Sequence, residues 1–240
     1  MRRIFHPGDL ALETTVALRA SASQHVAKVL RLTVGEEVAV FNGQGGHYTA
    51  QITHITKQEV LLNLRAYHSS QVESPLYTCL AQGISRGDKM DITLQKAVEL
   101  GVNCIVPLFT ERCGVKLEAE RLAKRMQHWQ AVIESACEQC GRDLLPTLAP
   151  AQSLAQWLPH APESLRLLLN PHQAQSVDLQ PAQQGVSLLI GPEGGLSPSE
   201  IALASKYQFL SWRLGPRILR TETAALVALS KIQTLWGDLC

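Results

Sequence analysis

The sequence predicts an α/β protein, with a small β-rich region ahead of a larger region built on a mostly parallel sheet. Three observations lead there. From Leu76 onward, apolar runs of strand length alternate with helical patterns, the signature of a parallel sheet covered by helices. Before that, short apolar runs flank the glycine-dense break Asn42-Gly43-Gln44-Gly45-Gly46, a hairpin signal. Between the two, Ala66 to Pro75 turns polar and ends in proline, which marks a linker. The expected domains are residues 1–72 and 73–240.

In order along the chain, Ser21 and Gln24 have capping-box spacing and predict a short helix through Leu30. Val38 to Phe41, His47 to Thr56 and Val60 to Leu64 read as strands, followed by Leu76 to Gln82. Asp88 to Leu100 reads as a helix capped by Asp88, with Met90, Leu94, Ala97 and Val98 on one face and Gly101 as its stop. Cys104 to Phe109 is the next strand. Glu120 to Cys140 is a long amphipathic helix, because Leu122, Met126, Trp129, Ile133 and Ala136 step by three and four. Ser153 to Leu158 gives a short helix, Leu165 to Leu169 a buried strand, Pro171 to Gly185 a polar loop and Val186 to Ile190 another strand. Ser197, Pro198, Ser199 and Glu200 supply an N-cap, a proline at the first helical position and an acidic residue at the third, a strong start with capping-box spacing for the following helix. Phe209 to Leu214 is the last strand, and the last helix starts at Thr221 or Glu222 and runs to about Trp236.

The 240 residues are 45% hydrophobic and 18% charged, a globular composition that excludes wholesale disorder. Lys plus Arg number 22 against 21 for Asp plus Glu, so a generally basic nucleic-acid coat is excluded and any basic patch must be local. Residues 1–72 hold seven Lys/Arg and five Asp/Glu, a net of +2, against fifteen and sixteen in residues 73–240, a net of −1. No run approaches the roughly 20 apolar residues of a membrane span. Arg2 and Arg3 are followed by Pro7, Gly8, Asp9 and Glu13 rather than an apolar core, so no signal peptide is expected. The six cysteines are scattered and mostly lie in apolar runs, which reads as reduced thiols of a cytoplasmic protein.

Two glycine turns following late strands carry the site prediction. They are Ile190-Gly191-Pro192-Glu193-Gly194-Gly195-Leu196 and Leu214-Gly215-Pro216-Arg217-Ile218-Leu219-Arg220-Thr221-Glu222-Thr223. Ligands of open α/β sheets bind beyond the carboxyl ends of strands, and glycine lets backbone groups approach a ligand closely. Gly194-Gly195 precedes Leu196 and Ser197 with no lysine, so a phosphate loop is not formed, and no dinucleotide fingerprint follows an early strand. Glu193 would repel a pyrophosphate. The ligand expected is therefore a neutral or cationic nucleoside. In the second turn Arg220 and Glu222 either pair with each other while Thr221 caps the helix, or form an anion-handling arginine and a carboxylate beside a ligand. Cys137-Glu138-Gln139-Cys140 lacks a second Cys or His pair, so no metal is expected, and no serine sits in a nucleophile elbow.

Both turns, with Leu189 and Ala224 at their ends, resemble the two C-terminal motifs of SPOUT-class RNA methyltransferases. So do Gln95-Lys96-Ala97-Val98-Glu99-Leu100-Gly101-Val102, Thr110-Glu111-Arg112-Cys113 and Glu138-Gln139-Cys140-Gly141-Arg142, and the opening Met1-Arg2-Arg3-Ile4-Phe5. The likeness spans nearly the whole chain in motif order. It implies an N-terminal PUA-like β-barrel, a C-terminal trefoil-knotted domain and a homodimer. It implies S-adenosylmethionine as cofactor and N3 methylation of a uridine in the decoding-centre helix of 16S rRNA, on the assembled small ribosomal subunit. Under it, Leu169, Ile190, Gly191, Gly194, Gly195, Leu214, Gly215, Ile218, Leu219, Arg220 and Thr223 become cofactor residues. Glu222 becomes the group that removes or orients the N3 proton, and Arg220 or Arg217 the stabiliser of charge on the uracil. Arg2, Arg3, Arg19, Lys28 and Arg31, with Arg112 and Arg142, are the expected RNA contacts. Two other classes remain open at this point. One is a non-catalytic RNA-binding adaptor of the ribosome, and the other is a phosphate-loop enzyme, against which the missing lysine speaks.

Overall fold

The computed structural model describes residues 1–56, 59–114, 118–172 and 184–239. The chain forms two compact units. One is Met1–Glu73 with Glu134–Leu145, the other Ser74–Ile133 with Pro146–Cys240.

The first unit contains β1 (Arg2–Phe5), β2 (Thr15–Ala17), α1 (Ala20–Gln24) running into a π-helical turn (His25–Leu30), β3 (Glu37–Phe41), β4 (His47–Ile55) and β5 (Val60–His68). The sheet order is β1-β3-β4-β5-β2, with β1 parallel to β3 and the other pairs antiparallel. Alternate residues face inward, as the pleat requires. Ala50 and Ile52 of β4 and Val60, Leu62 and Leu64 of β5 close over Ile4, Val38 and Val40.

Several expectations are corrected here. The Ser21/Gln24 capping box does not form, because the helix starts at Ala20 with Arg19 at its N-cap and no side-chain cap. Ser23 is the buried serine instead, donating to the Leu18 carbonyl and accepting from the Val60 N–H. β5 does not end at Leu64. A bulge between Thr49 and Ala50 carries its pairing on to His68, so the polar start of the expected linker is strand. β1 and β2 were not expected. Residues 134–145, expected in the second domain, lie with the first unit. There Asp143 pairs with Arg3, the Glu138 carboxylate accepts from the Phe5 N–H at 2.9 Å, and Arg142 donates to Glu73 at 2.8 Å. These partners stand 69 to 140 positions apart, so no local pattern announces them.

The second unit contains β6 (Thr78–Gly83), α2 (Lys89–Glu99), β7 (Cys104–Phe109), the first part of α3 (Ala119–Cys140), β8 (Thr147–Leu148), β9 (Gln152–Ser153), α4 (Leu154–Trp157), β10 (Leu165–Leu169), β11 (Val186–Ile190), α5 (Pro198–Lys206), β12 (Leu210–Trp212) and α6 (Thr221–Trp236). Strand order is β12-β10-β11-β6-β7-β8, with β9 on β7, and every pair is parallel. β6 and β11 are buried along their whole length, which explains their unbroken rather than alternating apolar pattern. Because all strands run the same way, the turns after β6, β7, β10, β11 and β12 gather at one edge of the sheet.

The bounds of β7, β10 and β11 are those expected. α5 has the expected capping box, Ser197 accepting from the Glu200 N–H and Glu200 from the Ser197 N–H. Asp88 does not cap α2 with its side chain, and the strand expected over 209–214 shortens to Leu210–Trp212. Of the loop expected over 171–185, residues 173–183 lie outside those described. In α6, Ala225, Ala228, Leu229 and Ile232 face the core, whereas Val227 and Leu235 are exposed. Ala225 and Ala228 therefore pack inside the unit. Cys79, Cys104 and Cys137 are free thiols, and burial pushes the Cys137 thiol up to about 12.

Candidate active site

The gathered turns of the second unit enclose a cavity of about 600 Å³, within the roughly 300–1,000 Å³ usual for small-molecule sites. Its place beyond the carboxyl ends of β10, β11 and β12 is the one open parallel sheets favour. Leu169, Ile190, Gly191, Gly194, Gly195, Leu214, Gly215, Arg217, Ile218, Leu219 and Arg220 all line it, so nearly all the expected cofactor residues converge there.

Glu222 and Thr223 do not line the wall. At 3.6 residues per turn, Thr221 and Ala224 share one face of α6 and look into the cavity, while the two residues between them turn aside. Thr223 is exposed. Glu222 is half-buried, and its Oε2 is shielded with no hydrogen-bond partner among the described residues. No ion pair joins Arg220 to Glu222 among those residues. Nor does Thr221 cap the helix. Its hydroxyl donates to the Gly191 carbonyl at 2.7 Å.

The turn after β11 is anchored throughout. The Gly195 N–H donates to the Pro192 carbonyl at 2.8 Å, and Arg112 donates to the Gly194 carbonyl at 3.1 Å. Glu193 accepts from the Arg86 N–H at 3.0 Å and from Lys89 at 3.2 Å. Burial raises the Glu193 pKa, but these bonds and the Lys89 charge outweigh it and leave the carboxyl below its ordinary value. The charge expected to repel a pyrophosphate is thus partly matched by Lys89. Gly195 has φ +67°, a conformation that favours glycine. A Cβ on Gly191 would lie 2.9 Å from the backbone of Gly195 and Leu196, so the turn closes only without a side chain there.

Sequence reasoning missed Lys89, Asn170, His172, Trp212 and Ala224 on the wall. Asn170 and His172 were legible in principle, since they follow β10 at the same edge as the glycine turns. Lys89 had no local signal, as its place depends on β6 lying beside β11.

The expected RNA contacts divide. Arg2, Lys28 and Arg31 of the first unit are exposed, as is Arg112 of the second. Arg19 is exposed but pairs with Glu134 and lies over the Phe5 ring. Arg3 pairs with Asp143 and lies over the Phe41 ring. Arg142 is only 4% exposed, with its guanidinium on Glu73. Arg142 is corrected from an RNA contact to an internal ion pair, since a buried, bonded guanidinium does not reach a phosphate, whereas Arg3 is part-buried and already paired with Asp143.

A family model described as an RNA methyltransferase domain matches residues 72–233, and one described as an RNA methyltransferase PUA domain matches residues 18–65. The chain is 34% identical over 239 residues to the ribosomal RNA small subunit methyltransferase E of Buchnera aphidicola, covering 99% of this chain and 97% of that one. Among solved structures, it is similar to a ribosomal RNA small subunit methyltransferase E from Neisseria gonorrhoeae bound to S-adenosyl methionine. That pair has a TM-score of 0.96 and 39% identity over 100% of both chains. A methyltransferase from Legionella pneumophila in complex with bound SAM gives a TM-score of 0.93 and 45% identity, over 99% of this chain and 98% of that one.

Proposed function

The chain belongs to the RNA methyltransferase family, and from that premise we propose that it methylates N3 of a uridine in the decoding-centre helix of 16S rRNA. The methyl comes from S-adenosylmethionine, and the substrate is the assembled small subunit. The observation that carries the reading is the cavity, with a backbone turn on one side and two arginines on the other.

The wall fits S-adenosylmethionine. Leu169, Ile190, Leu196 and Leu214 supply apolar surface for a nucleoside, Gly191 to Gly195 bring backbone groups close, and no phosphate-binding lysine follows the glycines. When bound, that cofactor supplies an electrophilic methyl carbon on a sulfonium. The remaining chemistry is the chain's own. Uracil N3 carries a proton at neutral pH and becomes a nucleophile only as that proton leaves. Glu222, half-buried next to the wall residue Thr221 with its Oε2 unpartnered among the described residues, orients the group that takes it. Arg217 and Arg220 stabilise the charge that builds on the uracil oxygens. Holding the reactants in line supplies much of the rate, and the target base must leave its stack to arrive.

Arg2, Lys28 and Arg31 in the first unit and Arg112 beside the cavity position the RNA by its phosphates. The trefoil knot, the homodimer and the cytoplasmic location implied by the resemblance belong to the same proposal. The exposed apolar residue Val227 on α6 is a place where a charge would test the dimer.

Labelled S-adenosylmethionine tests the reading. Small subunits from cells lacking this gene should take up label with the wild-type protein, and deproteinised 16S rRNA should take up far less. Glu222→Gln should keep cofactor affinity and lose turnover. Equal labelling of both substrates would overturn the assembled-subunit assignment, and full turnover in the variant would overturn the role of Glu222.

A further inference from the structure

Gln82 lies near the end of β6, fully buried, and takes no part in the cavity wall. In the sheet it stands directly beside Ile190, the last residue of β11. Its Nε2 donates to Thr221 Oγ1 at 2.9 Å and to the Gly83 carbonyl at 3.1 Å. Thr221 Oγ1 in turn donates to the Gly191 carbonyl at 2.7 Å.

The direction of this chain is forced. A carbonyl only accepts, so the single hydroxyl proton of Thr221 goes to Gly191. The Thr221 oxygen can then only accept, and the atom of Gln82 facing it must be the nitrogen. The amide is thereby fixed, with its oxygen turned away. That oxygen is buried without a partner among the described residues. A buried acceptor left unpaired is destabilising, and an apolar side chain of the same length would avoid the penalty. Packing alone therefore does not account for glutamine here.

Through the amide, one residue on the central strand ties both walls of the cavity. Gly191 opens the turn after β11, and Thr221 is the first residue of α6, adjoining Arg220 and Glu222. Gly83 reinforces the tie. A Cβ there would lie 2.5 Å from the Pro192 nitrogen, so the β6 backbone already supports the turn from beneath.

We infer that Gln82 is a positioning residue, which acts through Thr221 to fix the start of α6 against the turn at Gly191. The inference rests on the methyl-transfer reading, since it concerns the separation between cofactor loop and proton-handling groups. It adds a residue 139 positions from its partner that lies outside the cavity wall.

The test is a double-mutant cycle of Gln82→Met and Thr221→Val, with Thr221→Ser as the conservative control. Thermal melting, calorimetric affinity for S-adenosylmethionine and turnover on small subunits are read for each. Gln82→Met should melt no lower than wild type, because it removes the unpaired oxygen. Its cofactor affinity should fall about fivefold and its kcat about tenfold, as expected when reacting groups are misplaced by a fraction of an ångström. Thr221→Val should do the same to both, and the double variant should lose no more than either alone, the non-additivity of residues acting in one chain. Thr221→Ser should keep wild-type affinity and turnover. Wild-type behaviour of Gln82→Met, losses that multiply in the double variant, or losses that merely follow a lower melting temperature would each overturn the inference. A wild-type protein that binds S-adenosylmethionine yet leaves small subunits unmethylated would overturn the methyl-transfer reading, and the affinity cycle would still decide the role of Gln82.

Discussion

The two turns that wall the cavity share a glycine-proline start, yet only one is tied down along its length. In the turn after β11, the carbonyls of Gly191 and Gly194, the Glu193 carboxylate and the Gly195 N–H all have partners from elsewhere in the second unit or within the turn. In the turn after β12, Arg213 donates to the Gly215 carbonyl and the Ala224 N–H to the Arg220 carbonyl. Between those two ties Pro216 and Arg217 are exposed, and Ile218 is 75% exposed. A wall whose backbone groups are already satisfied presents a fixed shape, which suits a cofactor that is the same in every turnover. A wall with free side chains suits a substrate that arrives on a large RNA and must be gripped and released. On the proposed reading, the first turn together with Leu214 of the second holds the cofactor, and Arg217 and Arg220 of the second act on rate.

The largest expected effect falls on the second turn. Arg220→Ala should lower kcat by about a hundredfold, the usual loss for one charge-stabilising group, and leave S-adenosylmethionine affinity within about threefold. If affinity fell as much as kcat, the division between the turns would break. Gly191→Ala should show the converse. Its Cβ would meet backbone at 2.9 Å, and overpacking of about 1–3 kcal/mol translates into roughly a fivefold to 150-fold loss of cofactor affinity. Unchanged calorimetric affinity in a folded Gly191→Ala protein would remove the first turn from the site.

Two smaller effects sharpen the contrast. Ser197→Ala removes the capping box that starts α5 directly after the first turn, and should cost about 1 kcal/mol, read as a fall in melting temperature of roughly 2–4 °C. Ile218→Ala, on the exposed second turn, should leave the melting temperature unchanged within error, because surface truncations stay within about 0.5 kcal/mol. A drop as large as that of Ser197→Ala would mean that the second turn is as firmly packed as the first.

What the sequence shows of this molecule follows the range of the interactions involved. β10, β11 and α5 are written locally, in apolar runs bounded by glycine, proline and caps. The pattern Ser-x-x-Gln at Ser21 failed where Ser-x-x-Glu at Ser197 succeeded. The first lies inside a helix already begun at Ala20, and the second has Pro198 to set the first turn. The glycine turns were legible because a close backbone approach needs glycine at the spot itself. Thr223 was misplaced for a reason the sequence did contain, since helical phase puts Thr221 and Ala224 on the wall and turns Thr223 away. Arg142 and Gln82 were beyond reach. Each is defined by a partner 69 or 139 residues distant, and only the folded chain brings those partners together.

The proposed N3 methylation of one uridine in 16S rRNA of the assembled small subunit can be read by nucleoside mass mapping of 16S rRNA from cells lacking this gene, before and after their purified small subunits are incubated with the protein and S-adenosylmethionine. A single 3-methyluridine in the decoding-centre helix should be missing beforehand and restored afterwards. A full complement of 3-methyluridine in the deletion strain, or restoration of a different methylated nucleoside, would contradict it.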